Sequence, residues 1–292
     1  MQEKFQFIKG FHNNEGYRQS FNQLAQSTFG INFETWCQNG FWTDKYVPFS
    51  YADGDSIIAN VSVNKIDLII QDEMIRALQI GTVMTHPDYR NQGLSRSLMN
   101  RVLEEYEGTY DLMYLFANQS VVEFYPKFGF QRVNECQYSL DFAGSGSRSG
   151  SSRKLDGGNS EDIRFIYEFA ARRIPVSRVF GAINTAELLM FYSIYVFSQD
   201  IYYLEQEDVI VLYKQDEKQL DLFDVISCKE VEWDRVLGKI APEGTSEIVF
   251  HFTPDLDLPH LQKQTGSEIL FVKGEAVTKL PAYFKHPLTA QA

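Results

Sequence analysis

The segment with the clearest capacity for chemistry is a strand-to-helix turn at residues 82–98, TVMTHPDYRNQGLSRSL. An apolar strand ends near Pro87, a short turn follows, and a helix begins near Gly93. The first backbone N–H groups of such a helix lack intrahelical partners, and the helix dipole adds a partial positive charge. Gly93 lets the backbone approach a pyrophosphate, while Arg90 and Arg96 supply positive charge. The turn therefore predicts a phosphate-binding site.

Two short motifs, RNQGLS at residues 90–95 and FYPKFGF at residues 124–130, resemble those of the GCN5-related N-acetyltransferases, the GNAT family. Residues 90–95, RNQGLS, are similar to the signature Arg/Gln-x-x-Gly-x-Gly/Ala, with Ser95 in place of the usual Gly or Ala. About thirty residues further on, residues 124–130, FYPKFGF, resemble the family's segment Phe-Tyr-x-x-x-Gly-Phe. The resemblance covers residues 5–140, nearly half of the chain, and the two motifs occur in the family's order.

The resemblance implies a splayed mixed sheet in which acyl-coenzyme A lies between two diverging strands, here residues 79–85 and 112–117. Where the strands separate, their N–H and C=O groups lose ladder partners and can bind the pantetheine amides. The positions that it implies for acetyl-CoA binding are Val83, Met84, Thr85, Arg90, Asn91, Gln92, Gly93, Leu94, Ser95, Arg96, Asn118 and Lys127.

The resemblance also implies that an amine attacks the thioester directly, without a covalent enzyme intermediate. Tyr125 is then the candidate general acid that protonates the leaving sulfur. The alternative for Tyr125 is an ordinary core aromatic residue. Asn118 has an equal claim to be a helix cap at a strand end, and Lys127 to be an exposed lysine. Pro126 lies in a predicted short helix, where it removes a backbone donor.

The group that accepts the proton of the amine is not identified by the sequence. Gln79, on the strand before the turn, is able only to orient water, and His86 before a proline is more typical of a turn. Cys37 and Cys136 have no nearby His and Asp or Asn arrangement, so we interpret both as small buried hydrophobic residues. No cluster has the spacing of metal ligands, and we predict no metal.

The patterns around the motifs predict an α/β fold. Runs of β-branched residues at 56–70 and 74–85 indicate two antiparallel strands. Helical spacing at residues 94–106 and an apolar run at 112–117 add a helix and a strand. The resulting β-β-β-α-β-α-β order predicts a mixed sheet with both parallel and antiparallel pairs.

With 292 residues, the chain is long enough for two domains. Residues 143–160, AGSGSRSGSSRKLDGGNS, are almost free of apolar side chains and predict a flexible linker. We therefore expect a catalytic GNAT domain at residues 1–142 and a second, smaller α/β domain at 161–292.

The second half is expected to contain helices at 161–173 and 185–197 and strands at 202–213, 220–227, 247–253 and 269–272. Its strand, strand, helix, strand order indicates a degenerate GNAT copy without a glycine loop. We expect this half to close the acceptor pocket or to form a subunit contact, such as that of a homodimer. The hypothesis rests on its aromatic pairs, Phe191-Tyr192 and Tyr202-Tyr203.

The composition narrows the classes of partner and the location. A formal net charge of -12 disfavours nucleic acid and anionic membranes, which require basic surfaces. Three scattered cysteines, and no apolar leader or spanning segment, indicate a cytoplasmic protein.

The main hypothesis is an N-acetyltransferase that acts on a primary amine of a small molecule or peptide. The acidic charge suits a polyamine, an aminoglycoside or a lysine-like amine without choosing among them. The alternatives are a non-catalytic acyl-CoA binding or sensing protein, and a structural interaction protein.

Overall fold

Within the residues that the structure describes, strand pairing joins both halves of the chain in one sheet of thirteen strands. The computed structural model describes residues 4–142, 151–256 and 261–292. The elements of the first half are β1 (Gln6–Lys9), α1 (Glu15–Phe29), α2 (Glu34–Gln38), β2 (Tyr46–Asp53), β3 (Ser56–Ile70), β4 (Glu73–Thr85), α3 (Leu94–Glu105), β5 (Leu112–Phe116) and β6 (Gln131–Asp141).

The described part of the second half contains seven strands and three helices. They are β7 (Ser152–Leu155), α4 (Ser160–Ala170), β8 (Phe180–Ile183), α5 (Ala186–Tyr195), β9 (Ile201–Leu204), β10 (Val209–Asp216), β11 (Gln219–Ser227), α6 (Trp233–Ile240), β12 (Glu247–Phe250) and β13 (Leu261–Lys273). Short 3₁₀ turns lie at Pro87–Tyr89, Gln119–Val121, Tyr125–Phe128, Glu275–Lys279 and Leu288–Ala290.

The sheet is mixed, as the sequence predicts, and helices cover both of its faces. Its strand order is β1-β2-β3-β4-β5-β13-β6-β12-β11-β10-β9-β7, and β8 pairs with β3. Successive residues of a strand point to opposite faces. Ile57 of β3 belongs to the apolar cluster of α1, whereas Ile58 belongs to that of α3. The two helices therefore pack on opposite faces of the sheet.

The two halves repeat one arrangement and exchange their last strands. In the first half β3 pairs antiparallel with β4, and β4 parallel with β5 after α3. In the second half β10 pairs antiparallel with β11, and β11 parallel with β12 after α6. β6 then pairs with β12, while β13 pairs with β5 and with β6. The sheet is thus continuous between the halves, and their division into domains stays a prediction.

Three local expectations differ from the structure. Within the expected linker, Ser152–Leu155 forms strand β7 on β9, and residues 143–150 lie outside the described residues. The strand expected at 202–213 is a hairpin of β9 and β10, with a turn at Asp208. Pro126 occupies the start of a 3₁₀ turn instead of a helix interior, so its missing N–H removes no helical hydrogen bond.

Buried polar contacts anchor the segment after β13. Lys285 forms an ion pair of 3.2 Å with Glu135, and the backbone N–H of His286 donates to the same carboxylate. Thr289 donates to Asp224, which also forms a buried pair with Arg173. Because a buried charge is costly without its partner, these contacts hold the segment in one position.

No helix in the three described stretches is long and apolar enough to cross a bilayer.

Candidate active site

The opening between β4 and β5 is defined by where their pairing stops. The parallel register runs from Ala77 opposite Leu112 to Ile80 opposite Leu115. β4 continues for five more residues, to Thr85, without a partner on β5. Its edge therefore offers backbone N–H and C=O groups to a ligand, as expected from the splayed sheet.

A bulge at Thr82 shapes this edge. The β3–β4 register shifts between Asn60 and Ser62, and Thr82 has a φ of 48°. The Tyr46 hydroxyl lies 2.8 Å from the Thr82 hydroxyl, and the Asn60 amide donates to the Thr82 carbonyl at 2.8 Å. A left-handed conformation costs a β-branched residue about 1–2 kcal/mol, which these two contacts help to offset.

The turn before α3 has the features of an anion site. Asn91 and Gly93 have φ values of 61° and 77°, and no side chain caps the start of α3. A Cβ built at Gly93 would meet no atom within 4 Å, so the space above the helix end is open. The hydroxyls of Thr85 and Ser95 are 2.7 Å apart. The hydroxyl that Ser95 carries in place of the Gly or Ala of the sequence motif is therefore accommodated by a contact with Thr85.

One cavity of about 760 Å³ joins the splayed strands to the second half of the chain. Of the residues expected in the site, it is lined by Val83, Met84, Thr85, Arg90, Ser95, Asn118 and Tyr125. The other expected residues lie outside this lining: Asn91, Gln92 and Gly93 in the exposed turn, Arg96 exposed in the first turn of α3, Leu94 against the core, and Lys127 on an exposed face. The roles of both groups stay predictions.

Tyr125 is held in place by aromatic rings from both halves. Its ring centroid is 5.2 Å from that of Phe124 and 5.7 Å from that of Phe271 on β13. The residue is 5% exposed and lines the cavity. Burial raises the pKa of Tyr125 to about 12, so the phenol is protonated at neutral pH and is able to donate a proton.

The rest of the lining comes largely from residues without a sequence motif. Phe191 and Tyr192 of α5 line the cavity, as the hypothesis of a closing second half expects, whereas Tyr202 and Tyr203 do not. The aromatic density of α5 is the one sequence signal for this wall. Further lining residues that the sequence did not indicate are Phe33, Trp36, Tyr46, Asn64, Gln291 and Ala292.

None of the candidates for the proton acceptor is an acid in the cavity. Among the described lining residues there is no Asp or Glu. Gln79 is fully buried, and neither atom of its amide has a hydrogen-bond partner in the described parts of the chain. His86 accepts a hydrogen bond from the backbone of Asp88 and forms part of the turn.

No group of three or more His, Cys, Asp or Glu side chains that could hold a metal ion occurs among the residues described.

Gly81 brings the chain's last described residues against β4. A Cβ at Gly81 would lie 2.9 Å from the backbone carbon and oxygen of Ala292. We expect Gly81→Ala to displace Ala292 and to lower kcat/KM for the acceptor about tenfold, because small shifts in position are costly for catalysis. Steady-state kinetics measure this loss.

Gly238→Ala is the matched control for this substitution. Gly238 lies in α6 with nothing within 4 Å of the added Cβ, so alanine is expected to preserve kcat/KM. It is also expected to stabilise the helix by about 0.5–1 kcal/mol. Equal kinetics for the native chain and Gly81→Ala would show that the contact between Gly81 and Ala292 has no role in the reaction.

Comparison with known proteins finds a family match in the first half of the chain. Residues 13–133 match the family model of the acetyltransferase (GNAT) domain. No curated protein matches the chain significantly in sequence.

Solved structures with the same fold cover nearly the whole chain. A probable N-acyltransferase from Enterococcus faecalis V583 is 12% identical with a TM-score of 0.64, over 95% of this chain and 74% of its own. Eis1 from Mycobacterium abscessus is 13% identical with a TM-score of 0.60, over 94% and 74%. A GCN5-related N-acetyltransferase from Kribbella flavida is 14% identical with a TM-score of 0.58, over 94% and 73%. At these identities the likeness shows the fold.

The match over residues 13–133 includes both sequence motifs and confirms their resemblance to those of the GNAT family. This match supports N-acyl transfer in general terms.

Proposed function

We propose that the protein is an N-acetyltransferase that moves an acetyl group from acetyl-CoA to a primary amine by direct attack. One observation carries the proposal: a single cavity contains the unpaired edge of β4, Arg90 and Ser95 of the turn, and Tyr125. A donor bound along the edge has its phosphates near the turn and its acyl end near Tyr125.

The residues present fit acetyl-CoA. The free edge at Val83 and Thr85 offers backbone partners for the pantetheine amides. The uncapped start of α3 and the guanidinium of Arg90 suit the phosphates, and the open space at Gly93 admits them. Bound acetyl-CoA supplies the activated acyl group as a thioester.

Tyr125 and solvent account for the proton transfers. In the transfer a C–N bond forms, the C–S bond breaks, the sulfur gains a proton and the amine loses one. Tyr125 donates its proton to the departing sulfur, the proton released by the amine passes to solvent, and solvent reprotonates Tyr125. The apolar surroundings favour the uncharged form of the amine, which is the nucleophilic one.

The proposal is tested by incubating the full chain with acetyl-CoA and a mixture of primary amines, followed by mass spectrometry. The expected result is an acetylated amine and an equal amount of free coenzyme A. Binding of acetyl-CoA without any product would contradict transfer and would support the non-catalytic alternative, an acyl-CoA binding or sensing protein.

A further inference from the structure

One wall of the cavity is formed by aromatic, uncharged side chains. Resting on the proposed function, we infer that the acceptor is a monoamine with an apolar body about the size of an aromatic ring, and not a polycationic amine. We call Phe33, Trp36 and Phe191 the aromatic wall; these residues determine the specificity.

The aromatic wall is assembled from both halves of the chain. Phe33 and Trp36 lie at the start of α2, and Phe191 projects from α5. The ring centroid of Phe191 is 5.4 Å from that of Phe33 and 6.4 Å from that of Trp36. All three residues line the cavity, so this mutual packing presents a preformed apolar surface to a ligand.

Three polar groups near the wall are already used within the protein. The indole N–H of Trp36 donates to the Glu187 carbonyl at 2.6 Å, and the Tyr192 hydroxyl donates to the Gln291 carbonyl at 2.9 Å. The Tyr46 hydroxyl is engaged with Thr82. A ligand with many polar groups would therefore find few partners, and each unpartnered group would lose its hydration without compensation.

The charge of the cavity lining also disfavours a polycationic acceptor. Of the described residues that line the cavity, Arg90 is the one with a charged side chain. A second or third ammonium group would meet no side-chain carboxylate among these residues and would be repelled by Arg90. The net charge of -12 attracts cations to the surface, but none of the described lining residues is an Asp or Glu. An amine that binds uncharged, through one nitrogen and an apolar body, avoids this cost.

The test compares three acceptors with the full chain and acetyl-CoA: 2-phenylethylamine, spermidine and methylamine. We expect kcat/KM for 2-phenylethylamine to exceed that for spermidine by at least about tenfold, since differences in apolar contact give discrimination of this size. Phe191→Ala is expected to raise KM for 2-phenylethylamine about tenfold and to leave kcat/KM for methylamine unchanged, because methylamine has no body to contact the wall.

Phe165→Ala is the matched control for truncation of an aromatic ring. Phe165 is also half-buried, contacts Phe169 and Tyr203, and lies outside the cavity lining. This variant is expected to keep the native preference. A preference of the native chain for spermidine would overturn the inference, as would an equal loss for methylamine and 2-phenylethylamine in Phe191→Ala.

A binding measurement separates this inference from the proposed function. If no amine is acetylated, the proposed function fails, and calorimetry with 2-phenylethylamine and spermidine still decides what the aromatic wall binds. Binding of 2-phenylethylamine alone, lost in Phe191→Ala, would support the inference without turnover. Binding of spermidine alone, or of neither amine, would overturn it.

Discussion

Replacement of Tyr125 by phenylalanine is expected to lower the rate of acetyl transfer by about 10²- to 10⁴-fold, the usual contribution of a positioned general acid. The substitution removes the phenolic proton and keeps the ring that packs against Phe124 and Phe271. Affinity for acetyl-CoA is therefore expected to stay unchanged. Single-turnover kinetics with saturating acetyl-CoA measure the chemical step separately from product release.

Tyr106→Phe provides the control for loss of a buried phenol. Burial also raises the pKa of Tyr106 to about 12, but this residue follows α3 at the end away from the turn and does not line the cavity. Its substitution is expected to leave the rate unchanged. A native rate in Tyr125→Phe would contradict the assigned role.

The raised pKa has a consequence for pH dependence. Because the pKa of Tyr125 is about 12, its acid form persists from neutral pH to roughly pH 11. A decline in rate at any pH below roughly 11 would therefore come from the titration of another group.

Replacement of Asp224 by alanine is expected to destabilise the fold by about 3–5 kcal/mol. Asp224 is 1% exposed and accepts two hydrogen bonds from the guanidinium of Arg173, at 2.7 and 2.8 Å. The substitution leaves that charge buried without its partner. It also removes the acceptor for Thr289, which lies two residues before Gln291 of the cavity. Urea unfolding of both proteins measures the difference.

Asp111→Ala is the comparison for an exposed pair. The carboxylate of Asp111 accepts two hydrogen bonds from the guanidinium of Arg76, and both side chains are more than a third exposed. Solvent screens such pairs, so the substitution is expected to change the unfolding midpoint little. Equal losses for the two aspartate variants would show that burial does not govern the strength of the Asp224 pair.

The elements around the phosphate turn could be predicted because local patterns determine them. Strands β3 and β4 carry long runs of β-branched residues, and α3 has its apolar residues Leu98 and Val102 at helical spacing. The two motifs then resemble those of the GNAT family, and this resemblance implies the splay of β4 and β5. Each of these signals lies within a short stretch of sequence.

The exchange of last strands could not be predicted in the same way. The pattern of β13 allows a strand but does not specify partners, because pairing with β5 and β6 depends on the path of the whole chain. β7, with the sequence SRKL, is mostly exposed and resembles a linker, since a strand at the edge of a sheet buries little.

The candidate site likewise contains residues that local motifs predict and residues that only long-range packing brings together. The residues of the turn and Tyr125 lie in motifs, whereas the aromatic wall comes from α2 and α5, which are more than 140 residues apart in sequence. Gln291 and Ala292 have ordinary side chains and reach the cavity because buried contacts at Lys285 and Thr289 hold their segment. Such long-range packing leaves no local signal.

The central claim is that acetyl-CoA binds at the turn before α3, and calorimetry on three proteins tests it most directly: the native chain, Gly93→Trp and Gly108→Trp. The two glycines have φ values of 77° and 71° and open space around them, so backbone strain is matched. Gly108 lies beyond the opposite end of α3 and outside the cavity lining.

The expected result is micromolar binding by the native chain and by Gly108→Trp, and loss of binding in Gly93→Trp, whose indole fills the space for the phosphates. No binding by the native chain, or native affinity in Gly93→Trp, would contradict the placement of acetyl-CoA at this turn.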